Sequence, residues 1–377
     1  MSDDGRKHAL LGASSSYQWL ACPPSARLSE NYPDCSSSYA AEGTLAHSVA
    51  EGKLRRYLKR TRKAPDCGDA EMDEATDAYV QFIGEIYEEA KQTCKDPLLL
   101  MEQRVDYSRF VTEGFGTADA ILVSDGVMHV VDLKYGKGVA VSAEDNPQLK
   151  LYGLGALEML GHLYDIGTVR MTIFQPRLSN VSTSEMSTDS LYAWAENELA
   201  PRARLAFDGA GEFKSGGHCR FCRAKAECRA RANANLELAR YEFQEPARLD
   251  SDEIAVILAQ VDELVSWAGD IKEFALSEAL KGVKYPGWKV VEGRSNRRYT
   301  DEAAVAETVE AEGFDPYEHK ILGITAMEKL LGRKRFEDTL GGLVEKPAGK
   351  PALVPESDKR QGLNIISAAE DFAGQEN

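Results

Sequence analysis

The sequence predicts an α/β fold, a β-rich centre enclosed by helices, and three observations predict it. The runs LLLMEQRVDY, GTADAILV and VMHVVDLKY follow one another between residues 98 and 135 and read as consecutive strands. Segments with helical spacing of apolar residues stand before and after them. A further strand pattern, GTVRMTIFQP, comes after an intervening helix, and strands with helices on either side form layered α/β cores.

Taken in order, helical patterns cover Ser15–Ala21, Ala40–Lys63 and Asp73–Lys91. Between the second and third strands stands Ser124-Asp125-Gly126, and Asp-Gly is a strong signal for a two-residue hairpin turn. EDNPQLKLYGLGALEML reads as a helix capped by Asn146, with Pro147 at its first position, where a missing N–H costs nothing. After GTVRMTIFQP, helices are expected at Ser190–Phe207 and through a cysteine-rich segment. Beyond Glu245 come a long helix, SDEIAVILAQVDELVSWAGDIKEFALSEALKG, a short strand, GWKVVEG, and further helices. Lys346–Leu363 carries Pro, Gly and Lys and reads as a loop or tail. The expected organisation is therefore a core domain over 1–244 and a mainly helical extension over 245–377.

Composition narrows the function. No apolar stretch is long enough to span a bilayer, and the start, MSDDGRKHALLGASSS, lacks the apolar core of a signal peptide, so a cytoplasmic protein is expected. In a reducing compartment seven cysteines are poor material for disulfides, and a cluster of them points to metal. The net charge is −16, but residues 1–241 hold 28 basic and 34 acidic residues against 17 and 27 in the remainder, so acidity concentrates towards the tail. Two basic runs, KLRRYLKRTRK (Lys53–Lys63) and CRFCRAKAECRAR (Cys219–Arg231), read either as phosphate tracks or as solvated helix faces.

The hairpin supplies the chemistry. If Ser124 pairs with Val127, Asp119 faces Asp132 and Thr117 faces Lys134. Alternation then sets Asp132 and Lys134 on one face with Met128 and Val130, beside Ile121 and Val123. Two carboxylates about 5 Å apart on an apolar surface repel each other, and a divalent cation between them removes the conflict. Mg²⁺ or Mn²⁺ suits such oxygen donors and keeps water ligands that can become nucleophiles. Lys134 could orient or deprotonate that water or stabilise a charged transition state; the plainer reading is a salt bridge from Lys134 to one Asp at a sheet edge.

GTAD, then DLK, then QLKLY, with EGTLAHSVAE upstream, resembles the PD-(D/E)XK nuclease superfamily, in its RecB-like branch. The resemblance covers about residues 10–235 and implies a restriction-endonuclease-like core. It implies metal binding by His47, Asp119 and Asp132 with the backbone carbonyl of Leu133, a catalytic Lys134, and Gln148 and Tyr152 positioning substrate or site. Gln148 and Tyr152, spaced i, i+4, share one helix face. The first acid sits in TAD and not after proline, which is common in this branch. Glu102 in the preceding strand either joins the acidic set or pairs with an arginine.

Cys219, Cys222 and Cys228 have the spacing C-x2-C-x5-C, three thiolates with a fourth position open, and Cys22 precedes a proline near the other end of the core. This resembles the RecB-like iron–sulfur nucleases, among them AddB-type helicase-nucleases and CRISPR adaptation nucleases. It implies a [4Fe-4S] cluster on Cys22, Cys219, Cys222 and Cys228, with structural Zn²⁺ as the alternative and His218 as a substitute ligand. Cys35, Cys67 and Cys94 read as ordinary thiols. More loosely, the whole chain resembles an uncharacterised family of phage and prophage proteins. The expected function is a metal-dependent DNA nuclease, an exonuclease on single strands or duplex ends in phage DNA replication or recombination. Its cellular setting would be the host cytosol, with partner proteins met through the C-terminal extension. The rivals are a catalytically silent DNA-binding subunit on the same fold and a zinc-stabilised interaction protein.

Overall fold

The computed structural model describes residues 9–33, 38–60, 67–237, 249–292, 299–317, 320–345, 353–354, 358 and 361. The chain divides into two compact units, Met1–Val283 and Lys284–Asn377. The boundary expected at 244/245 lies outside the described residues. So do Cys35 and nearly all of the tail from Lys346 onward.

The first unit is built on a five-stranded mixed sheet of order β1-β2-β3-β4-β5, comprising β1 (Leu98–Asp106), β2 (Phe115–Ser124), β3 (Val127–Leu133), β4 (Thr168–Gln175) and β5 (Asn180–Ser187). Neighbours are antiparallel except β3 and β4, which are parallel and joined by helix α5 (Pro147–Leu160). The remaining helices of this unit are α1 (Ser16–Ala21), α2 (Ser25–Ser29), α3 (Ser38–Tyr57), α4 (Ala70–Thr93), α6 (Thr188–Trp194), α7 (Ala200–Asp208), α8 (Arg229–Leu236) and α9 (Ser251–Leu280). Among the described residues no helix is long and apolar enough to cross a membrane.

The β2–β3 turn follows from its sequence. Asp125 and Gly126 both take positive φ, 49° and 77°, the conformation a type I′ turn requires, and Ser124 pairs with Val127 as expected. That register sends alternate side chains to opposite layers. Ile121, Val123, Met128 and Val130 pack with Leu149, Leu151 and Leu154 of α5. Ala120, Leu122, Val131 and Leu133 pack with Ala50 and Leu54 of α3 and with Tyr79 and Ile83 of α4. Asn146 caps α5 by accepting from the N–H groups of Gln148 and Leu149. At Gly155 an added Cβ would stand 2.8 Å from Cβ of Val105, so only glycine lets α5 lie this close to the sheet.

The first helical segment is fixed by residues far along the chain. Trp19 is buried, donating to the Gly12 carbonyl, and Arg27 donates to the Phe207 carbonyl at 2.6 Å while its guanidinium lies over the Phe207 ring. At the other end of the unit Arg231, fully buried, is held by Glu263 and Asp270 of α9.

Four elements depart from expectation. The helix expected through the cysteine-rich segment is instead a 3-10 turn at Gly217–Phe221 followed by irregular turns, and becomes α-helical only at Arg229. β5 was not anticipated: NVSTSEMS is polar and reads as loop, and it becomes a strand by pairing along its length with β4, half-buried on alternate residues. The helix expected over 190–207 is interrupted by a π turn at Ala195–Leu199, where Pro201 cannot donate a backbone hydrogen bond. GWKVVEG is not a strand: its described residues, 287–292, show no strand pairing, and Trp288 and Val291 stand exposed. The second unit contributes α10 (Glu302–Ala311), α11 (Ile324–Leu331) and α12 (Arg333–Leu340).

His129 on β3 generates a stability prediction. Its ring is buried against the Thr172 hydroxyl at 2.8 Å, and burial, with the Arg170 charge, lowers its pKa from 6.5 to about 3. The folded state therefore refuses a proton that the unfolded chain accepts. The stability this provides is complete above about pH 6.5 and falls by about 1.4 kcal/mol per pH unit below it, until about pH 3. His129→Gln should flatten that limb in denaturant titrations between pH 6.5 and 4; an unchanged limb would place the acid sensitivity elsewhere.

Candidate metal centre

Three neighbouring strands bring three acids abreast. In the β1–β2 ladder Met101 pairs with Ala120 and Gln103 with Ala118, which sets Glu102 opposite Asp119. In the β2–β3 ladder the pairing runs to Ala120 with Val131, and the next step sets Asp119 opposite Asp132. Neither step at Asp119 is a regular pair. Glu102 takes a φ of 45°, left-handed backbone that a non-glycine residue rarely adopts, and the Asp119 Oδ2 accepts from the Leu133 N–H at 2.7 Å. The local strain of the sheet thus coincides with the crowding of its charges.

From the α3 layer His47 reaches this row. Its Nδ1 lies 3.1 Å from Asp119 Oδ1 and 3.9 Å from Glu102 Oε1. One donor atom each from His47, Glu102 and Asp119 fall within 4.8 Å of one another, and nitrogen with carboxylate oxygens is a suitable set for a divalent ion. Glu102, left undecided in the sequence, belongs with this group. Asp132 stands beside it: Oδ2 is buried without a hydrogen bond, although the Lys134 ammonium lies 3.0 Å away. Behind the group is a cavity of ≈ 10 Å³ lined by His47, Glu102, Asp119 and Leu133. The donor chemistry and the orphaned oxygen fit a Mg²⁺ or Mn²⁺ ion.

From the α5 layer come Gln148 and Tyr152. Gln148 donates to Asp132 Oδ1 at 2.9 Å and accepts from Lys134 at 2.8 Å, and its amide also reaches the Tyr152 hydroxyl at 3.1 Å. One glutamine therefore orients both an acid and the lysine. His47, Asp119, Asp132, Lys134, Gln148 and Tyr152 all line one cleft of ≈ 1880 Å³, whose far wall includes Arg220, Phe221 and Cys222.

Charge is out of balance here. Burial pushes Asp132 up, partly offset by Lys134. Burial and the Asp119 charge raise Glu102 to about 7. Burial alone would depress His47, but Asp119 outweighs it, with help from Asp132 and Glu102, and raises it to about 9.

Of the four cysteines expected to act together, Cys22 and Cys219 share His218 as a neighbour, and Cys222 feels the charges of Cys219 and Cys228. Cys22, Cys219 and Cys222 are buried and Cys228 is half-buried. The Lys214 backbone donates to Cys22 Sγ at 3.5 Å, and the Cys219 thiol lies 3.9 Å from the Lys214 carbonyl. Hydrogen bonds to Cys219 and Cys22 raise His218 to about 10; it in turn helps lower both thiols against the effect of burial. Cys67 and Cys94 lie apart from them, half-buried.

The basic runs divide between paired and surface residues, and Arg62 and Lys63 lie outside the described residues. Lys53 is buried against Asp73 and Asp77, and Arg55 pairs with Glu51, leaving Arg56, Lys59 and Arg60 on the surface. In the second run Arg231 is buried and Lys225 pairs with Asp270, while Arg220 and Arg223 line the cleft.

A pH test follows for the metal-free protein. Because the folded pKa of His47 is raised, its pairing stabilises fully below about pH 6.5 and is lost as pH rises through about 9. In EDTA, His47→Gln should melt below wild type at pH 5.5 and level with it at pH 9.5. A gap of equal size at both would show that the imidazolium pairing contributes nothing.

Among the solved structures that this chain resembles remotely are two crystal structures. A crystal structure from Eubacterium rectale described as "Putative exonuclease" is 13% identical, with a TM-score of 0.35 over 59% of this chain and 92% of that one. The crystal structure of SSO0001 is also 13% identical, with a TM-score of 0.23 over 49% of this chain and 84% of that one. At such scores the α/β fold is read from the sheet and its helices, not from either likeness. A family model described as "Protein of unknown function (DUF2800)" matches residues 8–361, nearly the whole chain, and the chain belongs to that family.

Proposed function

We propose that the protein is a metal-dependent DNA nuclease, acting as an exonuclease on single strands or duplex ends. The observation that supports it best is the meeting of a His47–Glu102–Asp119 donor group, of which His47 and Asp119 line the cleft, with a lysine of the same cleft held by Gln148 next to Asp132. His47, Glu102 and Asp119 would hold Mg²⁺ or Mn²⁺, with Asp132 and the Leu133 carbonyl alongside. When bound, such an ion would supply Lewis acidity and make a bound water a better proton donor than bulk water.

The chain's own residues do the rest. Lys134 carries its ammonium at the cleft wall, fixed by Gln148 Oε1 at 2.8 Å, where it can neutralise charge gathering on a phosphoryl oxygen. Asp132 keeps that ammonium in place and, through Gln148, is coupled to Tyr152, whose phenol burial keeps protonated. The cleft is large enough for several nucleotides of a strand. Resemblance to phage proteins favours a role in DNA replication or recombination, with the second unit available to partner proteins.

We further propose that Cys22, Cys219, Cys222 and Cys228 bind a [4Fe-4S] cluster, structural Zn²⁺ being the alternative. Among the described residues no three of these sulfurs come within 4.8 Å of one another, a wider set than the closely spaced sulfurs of a tetrahedral zinc site. The cluster would fasten the segment after α1 to the end of the core, closing a loop of nearly two hundred residues.

Two experiments test these readings. End-labelled single- and double-stranded DNA should be degraded only with Mg²⁺ or Mn²⁺, and Lys134→Ala should lower the rate at least a hundredfold with the fold intact. Binding without cutting would favour the silent-subunit reading, and neither binding nor cutting the interaction-protein reading. Protein purified without air should be brown, with broad absorbance near about 400 nm, and Cys22→Ser should bleach it as fully as Cys219→Ser. Stoichiometric zinc without iron would overturn the cluster and leave the nuclease untouched.

A further inference from the structure

Tyr79 of α4 does not belong to any motif discerned in the sequence, yet its hydroxyl is fully buried and has no hydrogen-bond partner. Buried hydroxyls are almost always satisfied, by protein or by ordered water. The ring cannot swing away to find solvent: Phe174 of β4 meets it edge to face at 5.8 Å and is itself stacked on Phe82. Tyr79 lines the ≈ 10 Å³ cavity together with His47, Glu51, Glu102 and Asp119, about the room one water molecule needs. His47 and Asp119 border both this cavity and the large cleft, whereas Glu102 and Tyr79 border the cavity.

We propose that Tyr79 is a positioning residue of the metal centre, donating its hydroxyl proton to a water that it shares with Glu102 in the cavity behind His47 and Asp119. This rests on the metal-binding reading of that site. The water has polar partners enough, since the carboxylates of Glu102 and Asp119 accept where the phenol donates. Burial and the charges of Asp119, Asp132 and Glu102 hold the phenol well above its ordinary pKa, so it stays a donor. Glu102, on strained backbone, is thereby steadied from the side away from the cleft.

Calorimetric titration with Mn²⁺ tests this on the full-length protein. Tyr79→Phe keeps the ring and its packing, so its melting temperature in EDTA should match wild type, while Mn²⁺ affinity should fall about tenfold, the range for lost outer-sphere partners. A structural tyrosine would instead lower the metal-free melting temperature and leave the affinity unmoved, and that result overturns the proposal. Combined with Glu102→Gln, Tyr79→Phe should cost less than the sum of the two single losses, because both act on one water. Strict additivity likewise overturns it. If wild type binds no Mn²⁺, the metal reading itself falls and this inference with it; unchanged affinity in Tyr79→Phe beside a binding wild type removes this inference alone.

Discussion

Mutual repulsion of three carboxylates set side by side on neighbouring strands governs the arrangement of the core. Glu102, Asp119 and Asp132 are brought abreast by a register that apolar packing enforces on both faces of the sheet, so the sheet cannot slide to separate them. The molecule answers the crowding locally. Ladder bonds are given up at Asp119, one residue is twisted into left-handed backbone, and His47 from the α3 layer and Lys134 from the end of β3 arrive as countercharges. Like charges held together at a cost to the sheet form a group that could hold a metal ion.

The countercharges are positioned by different means. His47 is delivered by a helix packed on the Leu122–Leu133 face. Lys134 extends from the strand end itself and depends on Gln148, which sits in the first turn of α5 directly after its Asn146 cap. The cap, the proline and the glutamine are consecutive in sequence, so the same few residues that start the helix also aim the lysine. Close contact of α5 with the sheet at Gly155 keeps that aim.

Much of this was legible in the sequence where a local rule has one outcome. Asp125-Gly126 dictates the turn, the turn dictates the register, and the register places Asp119 against Asp132. Where the outcome depends on a distant partner, the sequence is silent. β5 is a strand because β4 lies beside it, and GWKVVEG is not one for want of strand pairing among its described residues. The acidity of Glu102 was visible but its place was not, because the long β1–β2 connection hides their register. Tyr79 was invisible, being one of two tyrosines on α4, and the inward turn of Lys53 required knowing that α4 presents Asp73 and Asp77 to it.

The contact between Arg27 and Phe207 bears on how the polypeptide is made. The buried seat of Trp19 and Leu11 includes residues of α5 and α7, so the opening helices have nowhere to settle until roughly 180 further residues have left the ribosome. At about 5–20 residues per second that wait lasts roughly ten to forty seconds. Throughout it the nascent chain displays an indole and an aliphatic patch, so α1 and α2 stand in need of a chaperone for longer than the strands, whose partners lie close by in sequence.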